Sequence, residues 1–272
     1  MVGVRPWNCP AHAHWISRFS ISIVLSILCA TSPLLALDKE SISAQEEETI
    51  CPNDEGSEAN HFAVSLTTEF DNKYIFRGVN SLPGSGIATL DTEFEYHHFS
   101  LEIWQAAGVS KSYDELDFTL GYSIEAGSFI FTGGYVNYFT PDDDHLDLGY
   151  DDTQEFFVSV EYDIGSRYTA TLKYNYDFDK IHGGFIEPRF AACFPWPGNK
   201  LAFDPYVSIT YDLRYNSNRF AWNNFQTGIE IVRKINDVLK LSATAEVSVP
   251  LAAIDDFAKK EGWIGLRLTA DF

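Results

Sequence analysis

From residue 61 to residue 272, apolar and polar positions alternate with a period of two. The clearest stretch is 168–178, where Tyr168, Ala170, Leu172, Tyr174, Tyr176 and Phe178 alternate with Thr169, Thr171, Lys173, Asn175 and Asp177. Successive side chains of a strand point to opposite faces, so this stretch offers one face to an apolar medium and the other to water. Phe156, Val158, Val160 and Tyr162 are set against Glu155, Phe157, Ser159, Glu161 and Asp163 in the same way, and Leu116, Phe118, Leu120, Tyr122 and Ile124 against Asp117, Thr119, Gly121, Ser123 and Glu125. No window holds a helical period over ten or more residues. The runs predict about twelve strands, near 61–77, 87–96, 98–107, 114–125, 128–139, 153–163, 168–178, 184–193, 201–212, 225–235, 238–248 and 262–272. Roughly ten residues is the length of a tilted membrane-spanning strand, where strands of globular proteins average five or six.

The connections carry a second signal. Those after the even-numbered strands, such as His97-His98, Ala126-Gly127 and Asn236-Asp237, are mostly tight, and those after the odd-numbered ones are mostly long. Short turns on one rim and long loops on the other, with an even strand number, describe an all-β, transmembrane, antiparallel up-and-down β-barrel of about twelve strands. Closure follows from the solvent: in lipid every backbone group must be satisfied internally, and an open sheet leaves two edges unpaired. The final run places Ile264, Leu266, Leu268, Ala270 and Phe272 on the outward face, with Phe272 expected to serve as the signal for the barrel assembly machinery. Pro188 and Pro205 fit strands eight and nine less well, since each removes a ladder donor. The competing architecture is a secreted β-sandwich, which also alternates.

Three segments are expected. Residues 1–36 carry Arg5 and Arg18 ahead of an apolar run followed by small residues, the pattern of a signal peptide, and with the barrel pattern this predicts export to the outer membrane of a Gram-negative-type cell. Residues 37–60 form an acidic, flexible periplasmic lead with Glu46, Glu47, Glu48, Asp54, Glu55 and Glu58. The barrel occupies 61–272. Removal of 1–36 takes two of the 19 basic residues and none of the 39 acidic ones, leaving 17 basic against 39 acidic, a net charge of −22. That excess argues against nucleic acid as a partner and leaves outer-membrane lipid and small solutes. Cys9 and Cys29 depart with the signal, so Cys51 and Cys193 are the pair an oxidising compartment would join, both expected at the periplasmic rim.

The inward face is strongly acidic. Glu69, Asp91, Glu93, Glu102, Asp117, Glu155, Glu161, Asp177, Glu230 and Glu246 are expected to line the lumen, against Lys173, Arg189 and Arg267. Unpaired acids in a narrow lumen attract cations, so a cation-preferring pore is one reading; acids that merely wet the interior or pair with neighbours are the other. Twelve strands should leave a narrow or plugged pore, further narrowed by Trp104 and Phe157. Asp142, Asp143, Asp144, Asp147, Asp151 and Asp152 make an outer loop acidic, without a recognised calcium spacing. His61, His97, His98, His145 and His182 have no zinc-like spacing, and no Ser, His and acid constellation is legible, so neither metal nor cofactor nor catalysis is expected.

The segments VSLTTEFDNKYIFRG (64–78), IATLDTEFEYHHFSLEIWQAAG (87–108) and YDELDFTLGYSIEAGSFIFTGGYVNYFTP (113–141) resemble the TorF-type porin family of outer-membrane proteins. The likeness rests on Tyr74, Phe76, Arg77 and Gly78 and on Glu115-Leu116-Asp117 with Gly121-Tyr122, and it covers roughly 61–163. It implies a channel-like barrel and no particular substrate. This chain departs from the family at Asp71-Asn72-Lys73 and in the acidic lead. Arg77 and Gly78 are expected to shape the loop beyond the first strand. The functional expectation is a passive diffusion channel for small solutes with cation preference; the alternatives are a narrow, non-conducting structural or ligand-binding barrel and a lipid-active enzyme.

Overall fold

A computed structural model describes residues 62–140, 152–196 and 200–272. The expected signal peptide, acidic lead and Cys51 lie outside these residues, as does most of the Asp-rich loop. The strands are β1 (Phe62–Asp71), β2 (Ile75–Phe76), β3 (Val79–Asn80), β4 (Ile87–Tyr96), β5 (Phe99–Gly108), β6 (Asp114–Ala126), β7 (Phe129–Phe139), β8 (Thr153–Ile164), β9 (Tyr168–Asp177), β10 (Gly183–Ala192), β11 (Phe194–Pro195), β12 (Leu201–Leu213), β13 (Phe220–Lys234), β14 (Leu239–Pro250) and β15 (Glu261–Asp271). All long strands pair antiparallel with their sequence neighbours, β10 passes directly to β12, and β1 pairs with β15. The result is a closed barrel of 12 strands, which rules out the two-sheet sandwich.

The closing seam is continuous. It runs from Ser65 opposite Asp271 to Asp71 opposite Gly265, and Val64 and Phe272 exchange both backbone hydrogen bonds, at 3.2 and 2.9 Å. A second seam, between β10 and β12, is interrupted: Ile186 faces Tyr211 and Arg189 faces Ser208, with no pairing at Glu187 and Pro188 between them. Pro188 has no N–H to give, so the ladder skips there while the strand itself persists.

Alternation explains the two faces. Leu120, Ile124, Phe131, Val158, Leu172, Ile264 and Leu266 point outward and are exposed, although each is apolar. An apolar belt of this extent does not suit water, and it is what a barrel wall shows to lipid. Aromatic pairs bound the belt. Near the tight turns Phe99 meets Tyr122 at 4.9 Å and Phe129 meets Tyr162 at 4.6 Å; towards the long loops Phe156 meets Tyr176 at 5.5 Å and Tyr211 meets Trp222 at 5.0 Å.

Two expected boundaries change. The first strand was expected to run to residue 77, but β1 ends at Asp71. Asn72 still exchanges hydrogen bonds with Ile264, and Lys73 donates to Glu261 at 2.6 Å. Beyond Lys73 the chain leaves the wall, because the apolar residues that look like a continued strand are spent on contacts inside the barrel. The tenth expected strand starts at Phe220 rather than 225, since a bulge opposite Thr210 and Tyr211 absorbs Asn223 and lets pairing continue towards the loop rim.

Candidate functional site: a hairpin inside the barrel

The connection 72–86 between β1 and β4 contains its own two-stranded hairpin, β2 with β3, paired apart from the barrel sheet. Its turn is Arg77-Gly78, and both residues have positive φ, 49° and 80°. A two-residue turn with both φ values positive is the type I′ geometry that matches strand twist, which favours Gly at the second position. Here Gly is also required by space, for a Cβ on Gly78 would stand 2.8 Å from Asn224 Cγ.

One side of the hairpin root is anchored by an apolar cluster. Leu82, Ile87, Ala106 and Tyr113 are buried together, with Tyr74 and Trp104 packed against them. Tyr74 lies 5.7 Å from Tyr113 and 6.2 Å from Trp104 between ring centroids. Both tyrosine hydroxyls donate to Glu115 Oε2, that of Tyr74 at 2.8 Å. Burial pushes both hydroxyls well above the usual tyrosine range, and the Glu115 charge adds to this, so they stay protonated donors.

The tip reaches the far wall. Arg77 Nη1 and Nη2 donate to Glu155 Oε1 and Oε2 at 2.6 and 2.5 Å, a forked pair with a carboxylate that is 0% exposed. The guanidinium also lies over the rings of Tyr215 at 4.1 Å, Phe185 at 4.7 Å and Phe76 at 4.8 Å. The Arg77 carbonyl accepts from the side-chain amides of Asn216 and Asn223, at 3.2 and 2.8 Å. Apart from Phe76 on the hairpin itself, these partners come from β8, β10 and β13 and from the loop after β12, none of them next to β1 or β4 in the sheet. Burial alone would draw the guanidinium down; Tyr215, Tyr138 and Glu155 outweigh it and hold the group above its ordinary value, charged at any working pH. A forked, ring-stacked site of this kind is specific to arginine.

The acids expected to line the lumen occupy positions that alternate with the exposed apolar residues, but their circumstances differ. Asp177 is fully buried: Oδ2 accepts from Thr153 at 2.6 Å, and Oδ1 accepts the backbone N–H groups of Asp179, Lys180 and Ile181, each at 3.0 Å. It caps a loop, and Asp212 does the same for the N–H groups of Tyr215, Asn216 and Ser217. Glu69 and Glu230 share Arg267, at 3.0 and 3.3 Å. Glu246 accepts from Tyr206 and from Gln226. Lys173 lies over Phe157 at 4.8 Å and Arg189 over Tyr206 at 3.8 Å. Asp91, Asp117 and Asp204 each keep a buried oxygen without a hydrogen-bond partner. Glu93 pairs in register with Glu102, and Glu161 with Thr171. Cys193 is disulfide-bonded, and its partner lies outside the described residues. Among the described residues no group of three or more His, Cys, Asp or Glu is arranged to hold a metal ion.

The inward hairpin was not foreseen. Its sequence signal is the Arg-Gly pair inside an apparent strand, since Gly in a strand pattern marks a turn or a close approach.

The sequence matches no family model and no curated protein. The fold has solved counterparts. A structure of the KdgM porin in complex with disordered oligogalacturonate aligns with a TM-score of 0.53 at 7% identity, over 77% of this chain and 99% of the porin. The NanC porin aligns at 0.53 and 8% identity, over 76% and 98% of the two chains. An outer-membrane channel from Pseudomonas putida F1 aligns at 0.51 and 8% identity, over 81% and 99%. The barrel therefore resembles those of outer-membrane porins and channels, and the likeness is one of fold.

Proposed function

We propose that this protein is a porin-type channel of the outer membrane, passing small solutes by diffusion with a preference for cations, its outer mouth narrowed by the hairpin at 72–86. The observation that carries the reading is a polar, charged interior inside an apolar exterior, constricted by a loop that the barrel itself holds in place. Twelve strands leave less room than the sixteen to eighteen of a wide aqueous pore, so a hairpin inside sets the size limit. The cation preference rests on inward acids that form no ion pair among the described residues, Asp91, Glu93, Glu102 and Asp117 on adjacent strands. The likeness of the Phe76-Arg77-Gly78 element to the TorF-type porin family is consistent with this assignment, and those residues form the hairpin tip.

The burial of the Arg77 and Glu155 pair, with the carboxylate out of solvent and only 13% of the Arg77 side chain exposed, favours a second reading, a sealed barrel that binds a ligand from outside. Planar-bilayer recording under a tenfold KCl gradient distinguishes the two. The channel reading expects discrete conductance steps and a reversal potential displaced towards the potassium equilibrium potential. An absence of steps would leave the sealed barrel, and displacement towards chloride would remove the cation preference.

A further inference from the structure

Beneath the hairpin root, one row of the wall sets an aromatic ring between two acids. Trp104 on β5 stands in register between Asp91 on β4 and Asp117 on β6, so an indole is flanked by two carboxylates on its neighbouring strands. Most inward acids already have partners: an arginine for Glu69, Glu155 and Glu230, loop amides for Asp177 and Asp212, and a tyrosine hydroxyl for Glu246. Asp91 does hydrogen-bond to the Glu102 carboxyl and Asp117 to the Phe139 backbone, yet Oδ1 of each is out of solvent with no partner, as is Oδ1 of Asp71 and of Asp204; among the described residues only Asp91 and Asp117 of these four stand in register on either side of an aromatic ring. Asp117 is only 9% exposed as a whole residue. A buried carboxylate oxygen that has lost its water and gained no donor is an unmet demand, and native proteins keep few of them outside functional sites. Tyr74, brought in by the hairpin, lies against the same indole.

The chemistry of the occupant follows from what surrounds it. It must be cationic, because the row is acidic and its neighbours Glu93 and Glu102 add charge of the same sign. The described residues do not gather the three or more ligands that a metal ion needs. An aromatic ring beside carboxylates is instead the pairing that recognises an organic ammonium group, the ring attracting the cation through its quadrupole while the acids accept the N–H hydrogens.

We propose that Asp91, Trp104 and Asp117 form a binding site for an organic ammonium cation on the inner side of the hairpin. This deepens the channel reading by naming a solute class, and it rests on that reading only for the route by which the cation arrives.

The test is titration of the full barrel in detergent micelles with 1,4-diaminobutane at low ionic strength, followed by calorimetry. Saturable binding of one diamine per chain is expected, weakened at least tenfold by Asp91→Asn, Asp117→Asn or Trp104→Leu. Glu125→Gln, which removes the same charge eight residues along β6, about 27 Å away, should change the affinity less than twofold. Trp104→Phe keeps a ring for the case in which the leucine variant fails to fold, and should weaken binding less than the aspartate changes. Equal weakening by Glu125→Gln and Asp117→Asn would mean diffuse attraction by the lumen, and would overturn the site. So would an absence of saturable binding, or displacement by MgCl₂ beyond that by NaCl of matched ionic strength. Saturable, Asp117-dependent binding in a barrel that shows no conductance would uphold the site while removing the channel.

Discussion

At the scale of the residue, Arg77 is the side chain on which the interior is organised. It carries a charge into a buried place, and its bidentate carboxylate and three rings offset the desolvation that burial imposes, while the amides of Asn216 and Asn223 satisfy its backbone carbonyl. Removing one partner of such a pair strands the other, at a cost of about 3–5 kcal/mol in comparable buried pairs. The hairpin has no ladder to the barrel sheet, so this loss falls on its attachment more than on the wall. Glu155→Gln and Arg77→Ala are each expected to free the hairpin tip and raise single-channel conductance, and the double substitution should add little beyond either one. Arg77→Lys should resemble Arg77→Ala, because an ammonium cannot reproduce the fork. Conductances unchanged in all four variants would show that the hairpin does not limit flow. Gly78→Ala offers an independent approach, since the added methyl meets Asn224 at a φ of +80° that alanine avoids, and its conductance should shift in the same direction.

At the scale of the element, strand positions were legible in the sequence because lipid on one side and water on the other enforce a strict period of two, which a one-residue slip would invert. β4, from Ile87 to Tyr96, lies where alternation alone sets it. The departures come where that enforcement lapses. Residues 74–77 alternate well enough to read as strand, but Tyr74 and Phe76 are satisfied by Trp104, Tyr113 and Tyr138 inside the barrel, a destination that local pattern cannot register. The bulge that extends β13 to Phe220 is equally silent, since it is a shift of register between β12 and β13 that neither strand's own pattern marks. For the candidate site, the acidity of the inward face could be read, whereas which acids are answered by arginine or loop amides depends on partners up to 198 residues away, as for Glu69 and Arg267. The element-scale prediction uses the wall. Leu172 sits midway along β9, outward and 52% exposed, while its neighbour Thr171 faces in. Leu172→Arg should cost about 2–4 kcal/mol in refolding into lipid vesicles, as a cation near the midplane does, and Thr171→Arg should cost far less. Equal costs would mean that β9 does not cross a bilayer.

At the scale of the whole molecule, two features act over distances no single strand spans. Cys193 is engaged in a disulfide, and the four cysteines of the chain are Cys9, Cys29, Cys51 and Cys193. If 1–36 is removed on export, Cys51 is the partner that remains, and the bond would tie the acidic segment before β1 to the rim where β10 meets β12. The mature protein should then show no alkylatable thiol until reduced, and two afterwards; free thiols in the unreduced protein would refute the pairing. The second feature is charge. The mature chain is expected to carry −22, yet the acids paired with Arg77 or Arg267 contribute little free field to the lumen. The proposed selectivity would then depend on the acids that form no ion pair among the described residues, with Asp91, Glu93, Glu102 and Asp117 adjacent on β4, β5 and β6, acting across a hydrated space. Such an action is screened over a Debye length of about 10 Å at 0.1 M salt and about 3 Å at 1 M. The preference for potassium over chloride should therefore be several-fold in dilute salt and approach the ratio of free mobilities near 1 M, with the conductance itself rising less than in proportion to concentration. If selectivity instead held constant across that range, it would have to come from contact at a dry constriction, and the hairpin tip with its buried Arg77, rather than the acidic wall beneath it, would be the place where ions are chosen.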